Sequence, residues 1–307
     1  MSANPEVVSI GNLNLDLIGK LESIPKSDEK VLLKEFGRWP GGGGANFAAV
    51  CQKHGLSSGF IGCVGDDAFG SEVLEDLRER GVDTSHVRKV RASTGFAFIF
   101  LTPRYERLLI EHRGANSYLK PSDLAEDYLR DAKLLHASSV TPEIATAVGE
   151  RVQKLNLKAS LDLGAELSRM GERKLLKILE HFDICFMNEE TFGDIFEANA
   201  TKQSVLQRFP KKLEIFVVTI GSEGALVSDG ETTITSPSYD VDVKDTTGAG
   251  DTFAAIFDKH ILGGASLEEA VKFAAAGAAL KVQHVGGRKG IPDQREIEKF
   301  LNSIDKK

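Results

Sequence analysis

The stretch "SYDVDVKDTTGAGDTFAAIFDKHIL" (residues 238–262) reads in three parts. An alternating run ending near Val243 predicts a strand. "KDTTGAGD" is a glycine-rich connection, and the apolar pattern behind it predicts a helix over about residues 251–262. Strand, tight glycine turn and helix together form half of the unit from which α/β sheets are wound. A turn alone needs one glycine and a helix cap one short polar side chain. Gly248, Gly250 and Asp251 supply more than either requires.

The same alternation runs along most of the chain. Strand-like runs at 6–11, 58–65, 133–139, 158–164, 182–188 and 213–221 are apolar nearly throughout. Helical patterns lie at 45–54, 68–80, 121–131, 142–155, 171–180 and 189–196, with further helices at 266–283 and 293–304. Strands without an outer polar face belong to a parallel sheet covered on both sides. The fold class is therefore α/β, a three-layer doubly wound sandwich with a mostly parallel central sheet. Two segments break the rhythm: 15–39 and 96–114 each read as strand, polar turn, strand, with no helix to cover them. They are expected to form a small separate sheet, the alternative being edge hairpins of the main one. Residues 225–235 read as one more hairpin, turning at Asp229-Gly230.

At 307 residues, 41% hydrophobic and 27% charged, the chain has the composition of a soluble globular protein with a large core. A net charge of −7 argues against nucleic acid as a partner. Cys51, Cys63 and Cys185 form no CxxC pair and sit in apolar contexts, which suggests buried thiols in a reducing compartment. No run approaches the roughly 18 apolar residues that cross a bilayer. The expectation is a cytoplasmic protein without a membrane segment.

The chemistry concentrates at the glycine turns. The first amides of a helix lack intrahelical partners and sit at the positive end of its dipole. Gly248, Ala249 and Gly250 therefore offer N–H groups to an anion such as a transferring phosphoryl group. A carboxylate there repels phosphate unless it has a task, and a base that takes a hydroxyl proton during attack on phosphorus has to stand there. Asp251 suits that task, kept ionised by the helix dipole; taken alone, it reads equally well as a helix N-cap. "PGGGGANFAAVCQKHG" (40–55) puts four glycines before a helix from about Ala45 and Asn46 in its first turn. Asn14 and Asp16 lie two apart in "SIGNLNLDLIG", on one side of an extended chain. Two amides and a carboxylate beside glycine-lined backbone suit a polyhydroxylated ligand. No GK[ST] follows either turn, no GxGxxG pairs with a distal acid, and the histidines lack zinc spacing.

Together these motifs resemble the ribokinase-like carbohydrate kinases, the PfkB family. "DTTGAGDTF" is similar to that family's C-terminal signature and "GGGGANFAAVCQKHGLSSGFIGCVG" to its N-terminal one, in the same order along essentially the whole chain. The resemblance implies a single kinase domain over 1–307, with a β-sheet lid made by segments at about 12–38 and 94–114. It implies transfer of the γ-phosphate of ATP to a hydroxymethyl group of a ribose-, fructose- or keto-deoxysugar-like acceptor. Asp251 matches the base, Gly248, Ala249 and Gly250 the anion hole, and Asn14, Asp16, Gly42, Gly43 and Asn46 the positions that hold substrate hydroxyls. "TIGSEGA" (219–225) is similar to the nucleotide side, so Thr219, Gly221 and Gly224 are candidates there, with Asn188. Asp245 and Thr247 match a loop that binds a monovalent cation such as K⁺ in many members.

The family's NxxE motif, tied to Mg²⁺, appears as "NEET" with Thr191 in the fourth place, leaving Glu189 or Glu190 to act through water. Ribokinases usually carry lysine where this chain has Gly43, which leaves room for a bulkier acceptor. "DLGAELSR" departs from the DxNxR of keto-deoxysugar kinases and fructokinases. The alternatives are a nucleoside kinase of the adenosine, inosine or cytidine type and a non-catalytic sugar-binding regulator. Phe96 and Phe98 alternate on one lid face and either cover the substrate or pack within the lid; exposed lid edges suggest a homodimer.

Overall fold

Runs that are apolar at every position become the middle of a sheet whose two faces are both covered. The computed structural model describes residues 4–102 and 107–304. Its strands are β1 (Val7–Gly11), β2 (Asn14–Lys20), β3 (Glu35–Gly41), β4 (Ser58–Gly65), β5 (Val87–Val90), β6 (Gly95–Leu101), β7 (Arg107–His112), β8 (Leu134–Ser138), β9 (Lys158–Asp162), β10 (Ile184–Asn188), β11 (Ile215–Thr219), β12 (Ala225–Ser228) and β13 (Thr233–Ser236). The helices are α1 (Gly43–Lys53), α2 (Ala68–Glu79), α3 (Glu126–Leu129), α4 (Pro142–Leu155), α5 (Ala165–Ser168), α6 (Glu172–Leu179), α7 (Glu189–Phe196), α8 (Lys202–Gln207), α9 (Ala249–Leu262), α10 (Leu267–Lys281) and α11 (Gln294–Ile304).

Nine strands form the main sheet in the order β13-β12-β11-β10-β9-β8-β1-β4-β5. Only β12 and β13 are antiparallel to their neighbours; the others run parallel, so their C-terminal ends line one edge. Successive residues of β10 point to opposite cores: Ile184 and Phe186 pack under α1, α9 and α10, whereas Cys185 and Met187 face α4, α6 and α7. These two cores are the outer layers of the sandwich.

The segments that broke the helical rhythm form a separate four-stranded sheet, β3-β2-β6-β7. Register fixes its faces. Asp16 pairs with Trp39 and Ala97, and Ala97 with Glu111, so these four share one face. Phe96 and Phe98 fall on the other, where Phe96 meets Phe69 of α2 edge-on at 6.4 Å. Of the two expectations for them, packing holds: Phe96 meets Phe98 edge-on at 5.4 Å, Phe98 stacks on Phe100 at 6.1 Å, and Phe96 and Phe98 join the main core, because the pleat turns Ala97 and Ile99 toward the cleft. The tip of this hairpin, residues 103–106, lies outside the described residues.

Two expectations need correction. Residues 237–243 form no strand. Pro237 follows β13, already the edge of the sheet, and Tyr239 leaves it to pack edge-on against Phe300 of α11 at 5.3 Å. Val243 is half exposed, so the alternation there reflects no burial. The single helix expected over 121–131 is a turn at Pro121–Asp123 followed by α3, because Arg88 grips the Asp123 carboxylate with Nε and Nη2 at 3.1 and 2.8 Å. Strand β5 and helices α5 and α8 are too short, four to six residues each, to give a periodic signal.

Helix α9 carries the glycine-turn chemistry and is seated by aromatics. Phe253 and Phe257 stack at 6.1 Å, and Phe186 of β10 meets Phe257 edge-on at 5.7 Å. Phe257 is fully buried. Its replacement by Ala is expected to cost about 3–5 kcal/mol in urea or guanidinium unfolding; a loss below about 1 kcal/mol would contradict this packing.

Candidate active site

A cleft of about 300 Å³ opens where the small sheet faces the C-terminal ends of β1, β8 and β9. Asn14, Asp16, Gly42, Gly43, Asn46, Thr247, Gly248 and Asp251 all line it. The two glycine-dense segments, more than 200 positions apart, thus open onto one space. Asn14 and Asp16 begin β2 of the small sheet, and Gly42 and Gly43 follow β3. Asn14 and Asp16 therefore come from the small sheet, while Gly42 caps α1 and Gly43 begins it.

Asp251 is not the helix cap. Gly248 caps α9 with φ 79°, and a Cβ there would stand 2.4 Å from the Gly287 carbonyl oxygen. Asp251 lies in the first turn, half-buried, where Asn46 Nδ2 donates to its Oδ2 at 2.8 Å. Arg288 Nε donates to Asn46 Oδ1 at 3.0 Å, which orients the amide with its NH₂ toward the acid. Arg288, 2% exposed, also donates through Nη1 to Asp76 at 2.6 Å and through Nη2 to the Gly41 carbonyl at 2.8 Å. A single guanidinium therefore joins α2, the glycine run, α1 and the loop before α11.

Burial pushes the Asp251 carboxyl up to about 6; the Asn46 hydrogen bond and the charges of Arg288 and Lys281 hold it from rising further. The helix dipole does not fix it in the ordinary carboxylate range, yet it remains mostly ionised at neutral pH. Asp162, at the end of β9, is raised to about 7 by burial and by the Asp251 charge, and Ser138 donates to it at 3.4 Å. An ionised acid of near-neutral pKa is well matched to accept a hydroxyl proton.

Two amides of the turn at 246–250 are engaged: Thr247 N–H donates to Asp245 Oδ1 at 2.9 Å and Ala249 N–H to the Thr246 carbonyl at 3.1 Å. Gly248 and Gly250 flank Ala249. Gly43 brings the glycine run close to β8 and α9. A Cβ there would meet Ser138 Oγ at 2.3 Å and Asp251 Oδ1 at 3.1 Å, so the space its side chain would take is already filled.

Asn188, Thr219, Gly221 and Gly224 do not line the cleft. They lie further along the same edge, at the ends of β10 and β11, where Asn188 and Thr219 are register partners. Gly221 and Gly224 have φ of 47° and 103°, and a Cβ on Gly224 would stand 2.0 Å from the Ser236 carbonyl oxygen. Asn188 Oδ1 caps α7 by accepting from Thr191 N–H at 2.7 Å, with Glu189 and Glu190 exposed beside it. Asp245 is buried; its Oδ1 accepts from Thr247 N–H and Oγ1 at 2.9 and 2.7 Å and its Oδ2 from Gly286 N–H at 2.8 Å. Among the described residues, no three or more His, Cys, Asp or Glu side chains converge as metal ligands.

Several cleft residues escaped the sequence reading. Asn12 Nδ2 donates to Glu111 at 3.3 Å, and Arg113 pairs with Glu166 of α5 across the mouth. Strand parity held a signal for one of them: once Ala97 is placed inward, its partner Glu111 follows. Arg288 gave none, since "GGRKG" reads as an exposed loop.

A model of the pfkB family of carbohydrate kinases matches residues 4–294. The chain is 29% identical to a ribokinase of Lactococcus lactis over 303 residues, covering 98% of each chain. It is 30% identical to an ATP-dependent ribose-1-phosphate kinase of Halopiger xanaduensis, covering 96% of this chain and 98% of the other. The structure of Arabidopsis thaliana ribokinase in complex with ribose and ATP superposes with a TM-score of 0.86 at 30% identity, covering 97% and 99%.

Arg288→Met leaves the Gly41 carbonyl and Asn46 Oδ1 without their donor and Asp76 with one cation fewer. Unfolding free energy is expected to fall by about 3 kcal/mol, as when a buried pair loses one partner, and Arg288→Lys to restore little of it, because one ammonium cannot address three directions. A loss under 1 kcal/mol in either variant would mean the network is incidental.

Proposed function

The chain belongs to the pfkB family of carbohydrate kinases, and on that footing we propose that it transfers the γ-phosphoryl group of ATP to a primary hydroxyl of a sugar, with Asp251 as general base. The observation that carries this reading is one cleft in which the Asp251 carboxylate faces both the 246–250 turn and the polar side chains of β2. Relatives described as ribokinase, ribose-1-phosphate kinase and fructokinase support a sugar acceptor.

Asn14, Asp16 and Asn46, with the backbone of Gly42 and Gly43, hold the acceptor hydroxyls so that one lies within hydrogen-bond reach of Asp251. As that oxygen attacks phosphorus its proton passes to Asp251, and the amides of Gly248, Ala249 and Gly250 receive the charge on the transferred group. Ala249 does so by giving up its bond to Thr246. The small sheet acts as a lid that excludes competing water. Thr219, Gly221, Gly224 and Asn188 hold the nucleotide at the ends of β10 and β11. Mg²⁺ is usually bound by phosphates, waters and only one or two carboxylates, where it neutralises phosphate charge. Exposed Glu190, with Glu189 beside it, fits that donor set.

A nucleoside acceptor is less well matched: the cleft is at the small end for ligand sites, and Ser138 fills the space beside Gly43. Exposed Phe36, Leu109 and Ile110 on the small sheet, whose edge strands are β3 and β7, with exposed Leu32 and Leu33 in the connection before β3, favour a homodimer through the lid. Three buried thiols outside any disulfide suit the cytoplasm.

The test is Asp251→Asn with a panel of neutral sugars. Turnover is expected to fall by at least about a thousandfold while ATP affinity stays within a few-fold; unchanged turnover would remove Asp251 from the mechanism. The pH profile checks the same assignment. The acid limb of kcat/KM should rise as Asp251 loses its proton, with a midpoint near 6. Asn46→Ala, which removes a bond to the ionised form, should move that midpoint to higher pH. A limb that stays put would show that another group titrates.

A further inference from the structure

The resemblance places a monovalent cation at Asp245 and Thr247, and the residues present do not fit one. Lys281, the last residue of α10, is among the largest fully buried side chains of the described chain, at 0% exposure. Its ammonium donates to the His284 carbonyl at 3.3 Å and lies within electrostatic reach of both Asp245 and Asp251. Asp245 has its two oxygens engaged by Thr247 and Gly286. The amides of Lys244 and Asp245 donate to the Val282 carbonyl at 2.8 and 3.1 Å, and Gly248 abuts the Gly287 carbonyl, so the 244–248 turn is laced to the 282–287 loop.

Taking an ammonium out of water is costly unless its charge is balanced and its protons meet oxygen. Burial lowers the proton affinity of this one, Asp245 and Asp251 oppose that loss, and the His284 carbonyl accepts from it. A naked monovalent cation asks for the same surroundings: dry carbonyl oxygens and one carboxylate. Placed beside Lys281, it would meet a like charge in a low-dielectric interior, where repulsion at a few ångströms far exceeds its value in water.

We propose that the Lys281 ammonium is a tethered replacement for a monovalent cation: it orders the 282–287 loop against Asp245 and sets a fixed positive charge beside the turn that carries Asp251. The kinase then has no requirement for K⁺. The wild-type chain keeps its charge arrangement in any salt. Loss of the lysine charge opens a site of carboxylate and carbonyl oxygens that K⁺ can enter.

This inference rests on the kinase reading for its catalytic meaning, and its test does not. Thermal unfolding of the wild-type protein, in K⁺, Na⁺ and tetramethylammonium chloride at one ionic strength, should give midpoints within about 1 °C of one another. Lys281→Met should melt lower in tetramethylammonium and recover several degrees in K⁺, as expected when an ion binds the folded state alone. Lys281→Gln, which keeps a donor for the His284 carbonyl, is the second variant should the first not fold. Turnover should follow: the wild type unchanged within about twofold across the salts, the variant activated at least about fivefold by K⁺. A wild type stabilised or activated by K⁺ over tetramethylammonium overturns the proposal, and so does a folded variant indifferent to K⁺. Absence of ATP consumption with every sugar would count against the kinase reading alone, leaving the melting result to decide the role of Lys281.

Discussion

The site depends on one hydrogen bond, from Asn46 Nδ2 to Asp251 Oδ2, between the first turns of two helices far apart in sequence. Each helix begins after a glycine in positive φ, Gly42 at 99° and Gly248 at 79°, so each N-terminus meets its neighbour without a Cβ in the way. Were those turns built from larger residues, the carbonyls of Asn12 and Gly287 would collide with them. The bond is directional because Arg288 donates to the far side of the same amide. Orientation, burial and proton affinity of the acid therefore follow from a single chain of contacts.

That chain also explains how a carboxylate is kept ionised beside the turn proposed to hold phosphate. Burial alone drives Asp251 toward its neutral form; Asn46, Arg288 and Lys281 pull the other way, and the balance leaves it ionised but basic. The small sheet lines the other side of the cleft. Its inner face carries Asp16, Ala97 and Glu111 in one row, a small residue between two carboxylates, while its outer face spends Phe96 and Phe98 on the core.

Much of the fold was legible because burial on both faces leaves unbroken apolar strands; the run at 58–65 and the helix at 142–155 match the structure at both ends. The small sheet was legible from the absence of helices around two hairpins. What failed has physical causes. "SYDVDV" alternates without facing a core, and a strand's period says nothing about whether a neighbour is there to pair with it. The lid phenylalanines were left open between covering a substrate and packing, because alternation fixes which residues share a face and not which face meets the cleft. Asp251, Asn46, Asn14 and Asp16 were visible through their glycine-rich settings. Arg288, Lys281, Glu111, Arg113 and Glu166 were not, since charged residues in loops and helix ends look solvent-exposed until the tertiary structure buries or pairs them.

The most direct test of the central claim is a crystal structure of the protein with a sugar acceptor and a non-hydrolysable ATP analogue. One acceptor hydroxyl is expected about 2.6–3.2 Å from the Asp251 carboxylate, its oxygen in line with the terminal phosphate, and that phosphate against the amides of residues 248–250. A sugar bound elsewhere, or a terminal phosphate remote from that turn, would contradict it.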